Sequence, residues 1–86
     1  MPIMFCNFNM FDIKSQVVSI QENGTMVPLF SGNFEEICEF MANEYQAHDY
    51  DKIVLAGPYA TTLEDRVLAY SKTNYNFDNI NIEVIE

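Results

Sequence analysis

Few side chains in this 86-residue chain are of the kinds that do chemistry. His48, the only histidine, sits beside Asp49 and near Asp51, where an imidazole flanked by carboxylates could act as an acid, a base or a metal ligand. With no second histidine and no cysteine nearby in sequence, the simpler reading is a solvated helix end. Cys6 and Cys38 could be nucleophiles only if folding carried His48 to one of them. Their apolar settings read instead as two small buried hydrophobes in a reducing compartment. They are too few for a disulfide scaffold and too far apart for a zinc pair. Asp12, Asp51 and Glu64 are the acids that an improvised metal site would use. The helix expected after Gly57-Pro58 could bind an anion at its start, but Glu64 and Asp65, placed in its first turn, would repel one. No cofactor or metal is expected.

The elements that must position these residues are easier to read. Lys52 to Ala56 is a continuous apolar run closed by Gly57-Pro58, the pattern of a strand buried on both faces. Thr61 with Glu64 has the spacing of a capping box, and Leu63, Val67, Tyr70 and Ala60 follow at helical intervals up to Lys72. Earlier in the chain, Ile3 to Phe8 is apolar on both faces and reads as a central strand. Ile13 to Glu22 is a second strand. Asn23-Gly24 predicts a two-residue type I′ hairpin into a third strand, Thr25 to Phe30. Pro28 cannot donate a ladder hydrogen bond, so that strand belongs at an edge. Asn33 with Glu36 caps a helix whose stripe is Phe34, Ile37, Cys38, Met41 and Tyr45, ending around Gln46 to Asp49. Phe40 lies off the stripe, partly exposed. Ile80, Ile82 and Val84 alternate with polar neighbours in a half-exposed final strand.

The order is βββαβαβ in a single domain spanning residues 1–86. A meander followed by two crossovers predicts a mixed α/β (α+β) sheet of five strands in the order 3-2-1-4-5, with both helices on one face. This order, with Gly57-Pro58 after the fourth strand, resembles the core of the ribonuclease H-like superfamily. That resemblance implies metal-binding carboxylates on the first strand, at the end of the fourth and on a later helix. Here the first strand, Ile3-Met4-Phe5-Cys6-Asn7-Phe8-Asn9, carries none, and the fourth ends in Ala56-Gly57-Pro58. Asn7 and Asn9 offer only weak carbonyl ligands, so the implied relative is a degenerate, non-catalytic one.

Composition narrows the function classes. At 49% hydrophobic and 14% aromatic the chain can build a core, and no run reaches the roughly 18 apolar residues of a membrane span. The N-terminus has no basic stretch before its apolar residues, so the expected location is cytoplasmic. Thirteen acids against four bases leave a charge of −9, unsuited to direct contact with nucleic acid or an anionic membrane. The acid excess serves solubility in the simpler reading, and in the sharper one it suits a protein partner with a basic surface, including a nucleic-acid-binding one. Two helices on one face also leave the other face of an apolar sheet uncovered, which predicts a homo-oligomer or a partner protein there, the alternative being that long side chains such as Lys14 and Gln16 fold over it. Phe5, Phe8, Phe11 and Val54 are the apolar candidates for that contact, their faces unassigned, and Glu35, Glu36, Glu39 and Glu44 the acidic ones. The expected function is a non-enzymatic accessory or inhibitor-type interaction protein, of the kind found in viruses and mobile elements. The alternatives are a degenerate metal-dependent nuclease built on Asp12, Asp51 and Glu64, and a subunit of a larger assembly.

Overall fold

The computed structural model describes residues 1–10, 14–76 and 79–85. Along the chain lie β1 (Ile3–Asn7), β2 (Ser15–Ile20), β3 (Met26–Gly32), α1 (Phe34–Ala47), β4 (Lys52–Ala56), α2 (Ala60–Tyr75) and β5 (Ile82–Ile85). The strands form one sheet in the order β3-β2-β1-β4-β5. The first three are antiparallel, β4 runs parallel to β1, and β5 runs parallel to β4. This is the α+β architecture that the order of sequence patterns predicts.

Strand register assigns the two faces. Met4 and Cys6 pair with Ser19 and Val17 on one side and with Ile53 and Leu55 on the other. These six are buried beneath Ile37, Cys38 and Met41 of α1 and Leu63 and Val67 of α2. Both helices therefore cover this face, α1 over β2 and β3, α2 over β4 and β5. Each fully buried Ile, Leu or Met contributes about 1.5–3 kcal/mol relative to exposure, so this layer is the main source of stability.

Local chemistry sets the joints. Asn33 accepts from the Glu36 N–H, while the Asn33 N–H donates to Glu36 Oε1, both at 3.0 Å, completing the expected capping box. The hairpin differs from the expected type I′ turn. Gly24 alone has positive φ, at 88°, while Asn23 does not. The Gln21 N–H donates to Thr25 O and the Gly24 N–H to Gln21 O, making a three-residue loop, Glu22-Asn23-Gly24. Asn23 contributes through its side chain, whose Oδ1 accepts from the Thr25 N–H at 3.0 Å.

Edge strand β3 carries Pro28 opposite Val18 and a bulge beside it. The extra residue, Leu29, lets two residues adjacent in sequence, Leu29 and Phe30, both pack against the core. Phe40, expected at the margin of α1, is half-buried because it stacks on Phe30 at 4.7 Å and 6°.

The start of α2 also departs from expectation. Gly57 turns the chain at φ 98°, and Tyr59 becomes the N-cap without a side-chain bond. Ala60, drawn into the core, is already helical, and the Leu63 N–H donates to Tyr59 O at 2.9 Å. Thr61 is thus inside the helix, and Glu64 and Asp65 fall beyond its first turn. At the other end the helix runs past Lys72 to Tyr75 and closes on Asn76 in the left-handed region, φ 52°.

Candidate interaction surface

The face opposite the helices is built by the alternate residues of the same strands. Phe5 on central β1 has Val18 of β2 and Val54 of β4 as its lateral neighbours, and Ile3 pairs with Ile20. Register adds Met26 and Pro28 from β3 and Ile85 from β5. Val18 and Val54 are only 9% and 7% exposed, shielded by neighbours, whereas Met26 and Ile85 are 57% and 47% exposed. The result is an apolar strip across the sheet, centred on Phe5, over which neither helix lies.

Charges on this face neutralise one another at its border. Lys52, in register with Ile3, reaches Glu83 of β5 with Nζ 2.6 Å from Oε1. At the same end of the sheet the Met1 ammonium contacts Glu22 and lies 3.7 Å from Asp51.

The acidic residues expected to bind a partner lie elsewhere. Glu35, Glu36, Glu39 and Glu44 are on α1, in the layer on the other side of the sheet, and three of them are occupied in holding the fold. Glu35 accepts from Arg66 and, at 2.8 Å, from the Tyr70 hydroxyl, which ties α1 to α2. That hydrogen bond raises the Tyr70 phenol above its ordinary pKa. Arg66 also lies 5.7 Å over the Phe34 ring. Glu36 closes the cap. Glu44 accepts from the Tyr50 hydroxyl at 2.6 Å, and burial together with this carboxylate pushes the Tyr50 phenol up. Glu39 is exposed beside Phe30, Phe40 and Asn43 at a shallow surface depression.

The apolar candidates divide as well. Phe5 and Val54 belong to the open face. Phe8 does not: it is 0% exposed, edge-on to Phe34 at 5.5 Å and to Tyr59 at 6.4 Å, in the core beneath the helices. Its position follows from the pleat, which places residues 4, 6 and 8 on one side; sequence could not say that the helices would take that side. Phe11 lies outside the described residues. Ile3, Val18 and Ile20 complete the strip, brought together by the register of β2 on β1, which sequence did not give.

The reactive groups are not assembled into a site. Cys6 and Cys38 are free thiols in the core, and burial pushes both up to about 12, so little thiolate exists at neutral pH. His48 is exposed at the end of α1, its Nε2 4.0 Å from Glu44. Asp51 precedes β4, whereas Glu64 rides on α2, whose start adjoins the opposite end of that strand. Asp12 lies outside the described residues. Among the described residues no three His, Cys, Asp or Glu side chains group closely enough to hold a metal ion, and no helix is long and apolar enough to cross a membrane. Gly57 serves the fold: a Cβ there would stand 2.3 Å from the Phe8 carbonyl oxygen and 2.9 Å from Asn7 Oδ1. Comparison of the chain with protein-family models, with curated proteins and with solved structures finds no match.

Proposed function

We propose that this chain is a small interaction protein without a reaction of its own, which engages a protein partner through the open face of its sheet. The observation that carries the reading is the apolar strip on which neither helix packs: Ile3, Phe5 and Ile20 half-buried around the buried Val18 and Val54, with Met26 and Ile85 exposed at its ends. A contiguous apolar surface that the fold itself does not cover marks an interaction site. The acidic helices, facing away, keep the protein dispersed and can approach a second, basic surface, including that of a nucleic-acid-binding protein. Two buried reduced thiols suit a cytoplasmic setting. The ribonuclease H-like order of elements then supplies architecture rather than catalysis, as in a degenerate accessory protein of a virus or mobile element.

A photo-crosslinking residue at position 5 tests this directly. The open face should yield a discrete adduct, and the same residue at Ala69, exposed on α2, should not. Equal labelling at both positions, or none at position 5, would overturn the reading.

A further inference from the structure

We infer that the occupant of the open face is a second copy of this chain, packed sheet to sheet; the inference rests on the reading of that face as an interface. The first argument is where the charge sits. Six acids, Glu35, Glu36, Glu39, Glu44, Glu64 and Asp65, lie on the two helices, against Arg66 and Lys72. Among the described strand residues, the open face carries Lys52 and Glu83, which are paired to each other. A basic partner would therefore be drawn to the helices, whereas the sheet face complements a surface that is apolar and nearly neutral. Its own counterpart on another copy is such a surface.

The second argument is distance. The molecule is 21 Å across its shortest axis. Two copies joined through their sheets turn their acidic helices outward, separated by both thicknesses. That is several Debye lengths at physiological salt, where the length is about 8 Å, so the repulsion between two −9 chains is largely screened.

The third is self-complementarity. β1 is the middle strand of the five, so a two-fold axis near Phe5 sets Phe5 against its copy and each Val18–Val54 flank against the other chain's flank. Such an isologous contact uses one patch twice. Five strands about 4.8 Å apart and about 17 Å long offer roughly 400 Å² per copy before side-chain relief, about 800 Å² in total, which is below the size of a stable interface and in the range of a transient one. The dimer is accordingly weak and reversible.

Sedimentation velocity over about 5–500 µM protein, at about 50 and 500 mM NaCl, tests the inference because salt acts oppositely on the two kinds of complex. The expected result is a reversible dimer that tightens with salt, as repulsion is screened while the apolar contact persists. Ile20→Lys, or Met26→Lys at the exposed end of the same row, should weaken it at least about tenfold, although each lowers the net negative charge. Glu39→Lys on the helix side should leave dimerisation within about twofold of wild type in high salt. Circular dichroism melts confirm that each variant is folded, and Met26→Lys alters a side chain that folding leaves mostly exposed. A dimer that survives both face substitutions, or that loosens with salt, overturns the inference. A monomer throughout, with position 5 still crosslinking to a different protein, overturns it while the interface reading stands. A monomer with no adduct at position 5 overturns both.

Discussion

Gly57 and the two thiols show how far single residues shape this molecule. The φ of 98° at Gly57 is one that side chains rarely adopt, and a Cβ would meet backbone as well as the Asn7 side chain. Gly57→Ala should therefore cost more than about 2 kcal/mol, seen as a lower urea midpoint with unchanged slope. Gly24→Ala, strained in φ but with open space around it, should cost less. The thiols make stability depend on alkaline pH. In the unfolded chain a thiol ionises from about pH 8.5, while in the core Cys6 and Cys38 stay protonated until about 12. Above pH 8.5 the unfolded chain binds fewer protons than the folded one, so stability falls as pH rises. The loss approaches about 1.4 kcal/mol per pH unit for each thiol. Urea unfolding at about pH 8 and pH 10 should show this drop, and the double variant Cys6→Ala/Cys38→Ala should flatten it. Equal slopes in wild type and variant would refute the assignment to the thiols.

The two helices begin with similar sequence patterns and fold differently. Asn33 and Glu36 form the reciprocal box their spacing predicts, whereas Thr61 and Glu64, three residues apart in the same way, do not. The difference lies in what precedes them. Gly32 and Asn33 leave the chain extended at the cap of α1, but the Gly57 turn and the burial of Ala60 start α2 before Thr61 can cap it. Asn33→Ala should then cost about 1 kcal/mol, while Thr61→Ala should change stability by less than about 0.5 kcal/mol. Thermal melts of the two variants decide the matter, and a Thr61→Ala loss equal to that of Asn33→Ala would restore the sequence reading. The half-burial of Phe40 belongs to this scale too, because it depends on the bulge that turns Phe30 toward α1.

At the scale of the whole molecule the decisive feature is segregation. The sheet separates an acidic helical side from an apolar open side, so the residues singled out by sequence belong to two surfaces and a core. With a charge of −9 the folded chain also repels itself. Raising salt from about 20 to 500 mM should raise the thermal midpoint, by about 4–8 °C if screening recovers roughly 1 kcal/mol. A falling midpoint would mean that the ion pairs Lys52–Glu83 and Arg66–Glu35 outweigh the net repulsion. Measured at low protein concentration, this effect is separate from dimerisation.

Sequence alone determined the element order, the edge position of Pro28, the Asn33–Glu36 cap and the five-stranded arrangement. Each depends on spacing within one segment, on a tight hairpin or on the right-handedness of a crossover. Only the tertiary structure decided which of two apolar faces the helices would cover. Residues 3, 5 and 7 differ from 4, 6 and 8 by one step of the pleat, and both sets are rich in apolar side chains. Docking of Ile37, Met41, Leu63 and Val67 onto Met4, Cys6 and Phe8 settles the choice, sending Phe8 inward and leaving Phe5 outside. The start of α2 was likewise tertiary, because the close approach of Gly57 to Phe8 joins residues nearly fifty positions apart. The open face is thus a product of packing, and its composition was visible before its location was.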